Sequence, residues 1–458
     1  MSEVVVDHAE GAIPVHAIRQ KDLAAFLDGR QAFVKAFAEL SDFKAKAGQV
    51  LITPDTGGGL DRVLFGLGET GDAATFRALP AKLPAGDYRI ASAPGDIALD
   101  QIALAFALGS YRFDRYKKRG EEQPRLVAEG VDVAEVRSIA HACALARDMV
   151  NTPPNDMGPL QIETIAREIA EQHGAAITVI TGEGLLEANY PAVHAVGRAA
   201  VEARAPRMIE ITWGEAGKPL VALVGKGVVF DTGGLDIKPS AGMRNMKKDM
   251  GGAAHVLALG RMIMAAKLPV RLAILIPAVE NAISGDAMRP GDVLGSRKGL
   301  TIEVGNTDAE GRLILADALT RAEELEPALT LDLATLTGAA RAALGPQLPP
   351  FYTDDEELAG QIEAAMHAVQ DPMWRMPLWK PYADSLDSDV ADIKNDSDAW
   401  AQAGSVTAAL FLQKFAPKGP WAHFDIFAWN PRGRPGWPSG GEAQAIRALY
   451  KMIAGRFS

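Results

Sequence analysis

An alternation of strand-like and helix-like runs from Asn151 onward constrains the fold of this chain more than any other sequence feature. Short stretches rich in β-branched and aromatic residues recur, separated by longer stretches with apolar residues at helical spacing. Parallel strands need a crossover connection, usually a helix, so the alternation predicts an α/β domain with a mostly parallel sheet. The strand-like runs are AAITVIT, RMIEITW, LVALVGKGVVF, VRLAILIPAVE, LTIEV, LTLDLATLTG and WAHFDIFAW.

The remaining sequence predicts a second, smaller domain. At 458 residues the chain is too long for one ordinary hydrophobic core. Residues 1–130 mix strand-like runs, such as QVLITP and DYRIASA, with helical patterns such as KDLAAFLDGRQAFVKAFAEL. We therefore expect an α/β protein of two domains: a smaller N-terminal α/β domain over 1–130, a linker helix over 131–150, and a larger C-terminal catalytic α/β domain over 151–458 with a mixed, mostly parallel sheet.

Charge and composition restrict the classes of partner. The chain carries 47 Lys and Arg against 58 Asp and Glu, a formal net charge of -11, which disfavours nucleic acid and anionic membranes as partners. No run of 18 apolar residues and no secretory leader pattern occurs, and the single cysteine, Cys143, lies in a helical pattern where we expect a buried thiol. A cytoplasmic enzyme is the expected class.

The segment NTDAEGRL, Asn306–Leu313, places Asp308 and Glu310 two positions apart in a polar loop. A solvated turn is the ordinary explanation for such residues. However, the strand-like run LTIEV precedes the loop and the helical pattern LILADALTRAEEL follows it. Ligands in open α/β sheets bind at the carboxyl ends of strands, and the repulsion between the two carboxylates would fall if a cation lay between them.

A second strand end carries further charges, in GKGVVFDTGGLDIKPSAGMRNMKKDMGGAA. Each charge has an ordinary explanation alone: a strand-end ion pair for Lys226 and Asp231, surface charge for Lys238, and a helix N-cap for Asp249. Together, the two segments supply the four carboxylates of Asp231, Asp249, Asp308 and Glu310, and no histidine or cysteine cluster lies nearby. Oxygen-rich ligation by shared acids is typical of a two-metal site for zinc, manganese or magnesium.

These segments, with NTPPNDMGP, LATLTGAA and SVTAALFL, resemble the leucyl aminopeptidase family of dinuclear-metal exopeptidases over roughly residues 150–430. The resemblance implies that Asp231 and Glu310 bridge two divalent ions. It assigns Lys226 and Asp249 to the more loosely held ion and Asp308 to the other. A lysine ligates only as the neutral amine, so its pKa must be depressed by the metals and by burial.

The resemblance also implies the catalytic and substrate-binding residues. Lys238 would contact the substrate carbonyl or the developing oxyanion, and Arg312 would hold a bicarbonate ion that acts as general base toward the attacking water. Peptides with a free amino terminus are the implied substrates, with a bias toward Leu or Met, and a homohexamer is the implied assembly. The expected substrate-binding residues are Met246, Asn306, Thr335 and Gly338.

Departures from the family pattern and competing signals leave alternatives open. Asp236 stands where the family often has serine, and Arg244 and Asn245 stand where an acid is common, so charged first residues of the substrate are a possible preference. GLGETG, residues 66–71, matches a dinucleotide-binding pattern only weakly. RYKKRG, residues 115–120, is the best basic patch for an alternative DNA-binding or scaffolding role, against the net acidic charge.

Overall fold

The computed structural model describes residues 3–55, 57–117, 120, 122–397 and 402–458. They form two compact units. The first contains residues 1–144 together with 432–439, and the second contains residues 145–431 and 440–458. The α/β fold class predicted from the sequence is confirmed in both units. The division between the units falls inside a helix, Val133–Asn151, where the sequence predicts a connecting helix.

The first unit is built on a six-stranded sheet with the strand order β1-β6-β5-β2-β4-β3. All neighbouring strands are parallel except β3 and β4. Its strands are β1 Val5–Val6, β2 Ile13–Arg19, β3 Val50–Pro54, β4 Leu60–Gly68, β5 Gly86–Ser92 and β6 Pro124–Val127. The helices are α1 Leu23–Asp28, α2 Ala32–Leu40, α3 Leu99–Gly109 and α4 Val133–Asn151, the last of which enters the second unit.

The local backbone of this unit decides how two sequence patterns fold, a long helical run and a weak dinucleotide-binding pattern. The helical run KDLAAFLDGRQAFVKAFAEL is divided into α1 and α2 by residues 29–31. GLGETG begins in β4 and is followed by the 3-10 turn Ala73–Ala78. A dinucleotide site needs a long helix whose N-terminus faces the phosphates, and this turn is too short to provide one. Of the basic patch RYKKRG, Lys118 and Arg119 lie outside the described residues.

The segment of residues 432–439 is far from the rest of the first unit in sequence but packs within it. The ring of Trp437 contacts two guanidinium groups, with Arg77 4.2 Å and Arg434 4.0 Å from its centroid. Arg77 Nε also donates a hydrogen bond to the carbonyl of Gly436 at 3.2 Å. The segment is therefore held by cation–π contacts and by a side-chain hydrogen bond to its backbone.

The second unit contains a nine-stranded sheet with the order β16-β15-β18-β14-β9-β11-β8-β7, and β10 also pairs with β11. Its four central strands, β18, β14, β9 and β11, are parallel, while β15, β8 and β7 supply antiparallel pairs. The strands of the unit are β7 Ala176–Thr181, β8 Arg207–Trp213, β9 Leu220–Gly225, β10 Gly227–Asp231, β11 Arg271–Asn281, β12 Val293–Gly295, β13 Thr301–Glu303, β14 Leu329–Ala334, β15 Pro350–Tyr352, β16 Trp374–Arg375, β17 Ile393–Lys394, β18 Trp421–Asp425, β19 Trp429–Asn430 and β20 Gly440–Gly441.

Helices cover the central strands of this sheet, of which β9, β14 and β18 are buried along their whole length and β11 is buried except at Arg271 and Glu280, as expected for a parallel sheet between helical layers. The helices are α5 Pro159–His173, α6 Gly184–Glu187, α7 Pro191–Gly197, α8 Ser240–Met243, α9 Gly251–Ala265, α10 Glu310–Glu324, α11 Gly338–Leu344, α12 Glu356–Val369, α13 Gly404–Gln413 and α14 Ile446–Arg456. No helix among the described residues is both long enough and apolar enough to span a membrane.

Candidate active site

The run LVALVGKGVVF, expected from the sequence as one strand, is interrupted at Lys226. Residues before it form β9 and residues after it form β10, and both pair with β11. The Lys226 N–H donates to the carbonyl of Leu333 at 3.1 Å, and its carbonyl accepts from the N–H of Ala253 at 2.8 Å. The interruption therefore anchors Lys226 by its backbone to β14 and to the start of α9.

The ammonium group of Lys226 lies between two buried carboxylates. Its Nζ atom is 2.7 Å from Asp249 Oδ2 and 2.9 Å from Glu310 Oε1, and it donates to the carbonyl of Thr335 at 3.3 Å. A Cβ atom on Gly311 would come within 2.6 Å of the Lys226 side chain, so the glycine after Glu310 leaves room for the lysine. Burial lowers the pKa of Lys226, but the surrounding carboxylates outweigh that effect and raise it above its ordinary value.

Asp249 lies in a 3-10 turn, Met246–Met250, directly before α9. It does not cap α9, because the N-cap is Met250 and no side chain caps that helix. Instead, Asp249 Oδ1 accepts a hydrogen bond from the hydroxyl of Thr335 at 2.8 Å. Burial would raise the pKa of Asp249, but Lys226 and the buried Lys248, whose Nζ is 3.6 Å away, lower it to about 2.

Asp231 ends β10 and is held by hydrogen bonds on one of its oxygens. Asp231 Oδ1 accepts from the Gly233 N–H and from Asn281 Nδ2, both at 2.9 Å. Gly233 and Gly234 have positive φ angles of 88° and 65°, a conformation that favours glycine and that turns the chain toward Lys238. The Lys238 ammonium then lies 2.8 Å from Asp231 Oδ2 and also contacts Asp308 Oδ1.

The loop that follows Gly305 is fixed by a residue that sequence reasoning missed, Asn395. The Asn395 amide oxygen accepts from the N–H groups of Gly305 and Asn306, at 2.8 and 3.2 Å, and its amide nitrogen donates to the carbonyls of Asn306 and Ala309. Asn306 Oδ1 in turn accepts from the Asp308 N–H at 2.8 Å. The Asn306 side chain therefore shapes the loop that carries Asp308.

Arg312 lies one turn into α10 and is buried. Its Nη1 atom donates to the carbonyl of Asn395 at 2.6 Å, while Nε has no hydrogen-bond acceptor among the described residues. Burial lowers the pKa of the guanidinium, opposed by the nearby Asp396, Glu310 and Asp425 carboxylates. A buried N–H without an acceptor is a suitable donor for a small anion.

Three of the predicted ligands meet in one cluster. Asp231, Asp308 and Glu310 each offer a carboxylate oxygen, and these oxygens lie within 4.8 Å of one another. Burial and the Asp231 charge raise the pKa of Glu310 to about 8 and that of Asp308 to about 6, against the opposing lysines. Glu310 Oε2 is buried with no hydrogen-bond donor among the described residues. The cluster thus offers hard oxygen ligands, one of them without a hydrogen-bond donor among the described residues, and such ligands suit divalent cations.

The residues predicted to bind the first side chain of the substrate lie in three different environments. Met246 begins the 3-10 turn and is half-buried. Thr335 is buried and uses its hydroxyl to hold Asp249. Gly338, the first residue of α11, is exposed, and a Cβ atom there would meet nothing within 4 Å. Gly338 therefore borders open space, while Thr335 also supports a predicted ligand.

Asp425, at the end of β18, is a second residue that sequence reasoning missed. Its Oδ1 atom accepts from the N–H groups of Leu336 and Thr337 at 3.0 and 3.1 Å, and its Oδ2 atom accepts from the Thr337 hydroxyl at 2.6 Å. Asp425 therefore fixes the loop between Thr335 and α11. Its position at a strand end was the only sequence signal, and WAHFDIFAW contains no motif that identifies this role.

The fold and site together define a class: a two-domain α/β protein with a largely buried cluster of carboxylates and lysines, located at the ends of β9 and β10 and in the segments that lead into α9 and α10. Residues 144–450 match the model of the cytosol aminopeptidase family catalytic domain, and residues 13–129 match that of the M17 aminopeptidase N-terminal domain. The chain belongs to the cytosol aminopeptidase family, a family of metal-dependent aminopeptidases, and is a hydrolase that acts on peptides.

Relatives and solved structures support this assignment over nearly the whole chain. A probable cytosol aminopeptidase of Syntrophotalea carbinolica is 39% identical over 90% of this chain and 89% of its own length. The crystal structure of the Coxiella burnetii cytosol aminopeptidase is 43% identical, covers 100% of both chains and superposes with a TM-score of 0.94. The bottromycin maturation enzyme BotP in complex with Mn is 35% identical, with 97% and 99% coverage and a TM-score of 0.86.

Proposed function

We propose that this protein releases unblocked amino-terminal residues from peptides by activating water between two divalent metal ions. The observation that carries the proposal is the cluster of Asp231, Asp308 and Glu310, whose carboxylate oxygens lie within 4.8 Å of one another. Without a cation the three carboxylates repel one another, and the Lys226 and Lys238 ammonium groups beside them offset part of that repulsion. Bound divalent ions would supply Lewis-acid activation of water and neutralise developing negative charge.

The proposed ligands divide according to their positions in the cluster. Asp231 and Glu310 would be shared between the two ions, as the family pattern implies. In this structure Glu310 Oε1 lies 2.9 Å from Lys226 Nζ and Asp231 Oδ2 lies 2.8 Å from Lys238 Nζ. Lys226 and Asp249 would complete one site, and Asp308 the other. Lys226 must release its proton to act as a ligand, so metal binding should release protons and weaken as the pH falls. The Mn complex of the related BotP supports manganese as one suitable ion, beside zinc or magnesium.

Two basic residues would act on the substrate and on water. Lys238 keeps its charge, because Asp231 and Asp308 outweigh the effect of burial and raise its pKa. It can therefore stabilise negative charge that develops on the oxygen of the scissile carbonyl. Arg312 would hold bicarbonate through its available Nε–H, and the bicarbonate would accept a proton from the attacking water.

Substrate preference and cellular context are the finer parts of the proposal. Met246, Asn306, Thr335 and Gly338 would border the site of the first residue of the peptide. One methylene group in an apolar pocket changes discrimination by only about 1–3 kcal/mol, so we expect broad specificity with a bias toward Leu or Met. We further propose a homohexamer in the cytoplasm that acts on peptides rather than on nucleic acid.

Hydrolysis of matched peptides by matched variants tests the proposal. Glu310 and Glu324 are the first and last residues of α10, so Glu310→Gln and Glu324→Gln compare one carboxylate inside the cluster with one outside it. Glu310→Gln should lower release of leucine from a leucyl peptide by more than about a hundredfold, since even residues that only support ligands contribute 10- to 100-fold. Glu324→Gln should retain wild-type activity with Mn²⁺ supplied.

An amino-terminally acetylated copy of the same peptide separates the possible activities. The wild type should leave the acetylated peptide intact, because an aminopeptidase recognises the free amine. Equal cleavage of the free and acetylated peptides would indicate an endopeptidase. No hydrolysis of either peptide with manganese, zinc or magnesium would contradict the proposed activity.

A further inference from the structure

Thr307 lies between Asn306 and Asp308, and the peptide groups on both of its sides are fixed by side chains from other elements. Its N–H donates to Asp236 Oδ2 at 2.7 Å, and its carbonyl accepts from Asn281 Nδ2 at 3.1 Å. Thr307 itself is fully buried. The backbone that leads into Asp308 is therefore held from two directions.

Asp236 and Thr307 form a reciprocal pair between the two ligand loops. The Asp236 N–H donates to Thr307 Oγ1 at 2.9 Å, in the opposite direction to the bond from the Thr307 N–H. The single hydroxyl proton of Thr307 has two acceptors, the Gly233 carbonyl at 2.7 Å and Asp236 Oδ2 at 3.0 Å. Every one of these bonds joins the loop of residues 231–238 to the loop of residues 306–312.

The two loops carry groups that repel each other when no cation is present. Asp231 belongs to the first loop, and Asp308 and Glu310 belong to the second. A rigid connection that opposes this repulsion preserves the separation of the ligands, and a preformed set of ligands binds metal more tightly than one that must be assembled. Since the Asp236 oxygen is charged, its bond to the Thr307 N–H is of the stronger, charge-assisted kind.

We propose that Asp236 is a positioning residue that holds the two ligand loops at the separation required by the metal ions. The assignment rests on the proposed two-metal function and extends it to a residue that departs from the serine frequent in the family. A serine side chain is shorter and ends in a hydroxyl, so it lacks the carboxylate oxygen that accepts from the Thr307 backbone. Because Asp236 Oδ2 is directed at Thr307, we assign it to loop geometry rather than to selection of charged substrates.

The chain contains a matched control for this residue. Asp392 Oδ2 accepts from the N–H and hydroxyl of Thr301 at 2.8 and 2.7 Å, and the Asp392 N–H donates to the same hydroxyl at 3.0 Å. The Asp392–Thr301 pair therefore reproduces the three bonds of the Asp236–Thr307 pair, but it joins β13 to the segment before β17. Asp236→Ser and Asp392→Ser each remove the carboxylate oxygen that accepts from the threonine N–H and hydroxyl, at different places in the fold, and each leaves the backbone N–H donor in place.

Titration of the full-length, chelator-treated protein with Mn²⁺, followed by the paramagnetic resonance signal of free Mn²⁺, measures the effect. Asp236→Ser should bind Mn²⁺ about tenfold more weakly than the wild type, as for loss of other groups that orient ligands. Asp392→Ser should bind within about threefold of the wild type. Asp236→Asn should also remain within about threefold, because its amide oxygen can still accept from Thr307.

The possible results separate this assignment from the function on which it rests. Wild-type affinity in Asp236→Ser, or an equal loss in Asp392→Ser, would overturn the positioning role while leaving the two-metal site in place. Failure of Asp236→Asn to restore affinity would also overturn it, because the role depends on the hydrogen-bond acceptor. A wild-type chain that binds no Mn²⁺ would instead contradict the proposed function.

Discussion

The two units use similar sheets but differ in the charges that they bury. Among the described residues of the first unit, the buried side chains of basic or acidic type are His16 and Arg77. At the strand ends of the second unit, the buried set includes Lys226, Asp231 and Asp249. The first unit therefore forms its α/β sheet with few buried charges, and the burial of charged groups is unfavourable unless they are paired or bound to ions. The buried charged side chains of the candidate site therefore distinguish the second unit from the first.

The largest expected effect comes from removal of the buried Lys226 ammonium group, which tests the difference in buried charge between the two units. In chelator, Lys226→Met should destabilise the second unit by about 3–5 kcal/mol, because it leaves Asp249 and Glu310 buried without their cation. Arg19→Met in the first unit removes the partner of Asp96, which is 64% exposed, and should have little effect. Urea unfolding of both variants measures the difference. Equal shifts in the two transitions would contradict the contrast.

Loss of the substrate-facing lysine tests the same contrast through catalysis. Lys238→Met should lower kcat by about 10²–10³-fold, the effect of removing one donor to a developing oxyanion. The comparison variant in the first unit is Lys82→Met, whose ammonium donates to the carbonyl of Gly48. It should retain the wild-type kcat on a leucyl peptide. A similar loss of kcat in both variants would assign the effect of Lys238 to folding.

A third comparison of the two units uses one buried histidine in each and measures how the free energy of unfolding changes with pH. His255 Nδ1 lies 2.6 Å from the Gly251 carbonyl, and Nε2 accepts from the Gln444 N–H at 3.0 Å, so the neutral ring satisfies both partners. Burial lowers the pKa of His255 from 6.5 to about 4. Because this pKa is depressed in the folded state, the contribution of neutral His255 to the free energy of unfolding is complete above pH 6.5. As the pH falls toward 4, the free energy of unfolding decreases by about 3 kcal/mol.

Urea unfolding between pH 7 and pH 4.5 measures this dependence. The loss should be smaller in His255→Gln, which has no ring to protonate. His16→Gln should also make the loss smaller, because burial and the nearby Arg30, Arg62 and Arg89 charges lower the pKa of His16 to about 4 as well. Identical pH dependence in His255→Gln and the wild type would exclude His255 as the titrating group.

The smallest expected effect concerns the segment of residues 432–439. Trp437→Ala removes the ring that contacts Arg77 and Arg434, and should destabilise the first unit by about 1–2 kcal/mol through the loss of two cation–π contacts. Trp374→Ala in the second unit removes a ring that is 57% exposed and should have a smaller effect. Hydrogen exchange of the β4 amides reports on the first unit alone. Unchanged exchange in Trp437→Ala would contradict a stabilising role for the segment.

The parts of the molecule that were predictable from the sequence are those with local signals. Strand ends and loop composition identified Asp231, Asp308 and Glu310, which the structure brings together in one cluster. The periodicity of LILADALTRAEEL predicted α10. In each case, the residues that determine the feature lie within a few positions of one another, so period, polarity and turn chemistry are sufficient.

The residues that hold the site together were not predictable in this way. Asn395 lies more than 80 positions from the loop that it fixes, and Asn281 lies 50 positions from Asp231. A single asparagine in either place has no pattern that names its partner. The interruption at Lys226 was also missed, because LVALVGKGVVF has the composition of one continuous strand and its break depends on contacts with β14 and α9.

Residues 432–439 belong to the first unit but are synthesised long after the rest of it. Most of that unit is complete once residue 144 has left the ribosome, but Trp437 follows about 290 residues later. At roughly 5–20 residues per second, the nascent first unit exists without this segment for on the order of 15–60 s. During that interval Arg77 has no Trp437 to pack against, so the first unit reaches its final form only after residues 432–439 have been synthesised.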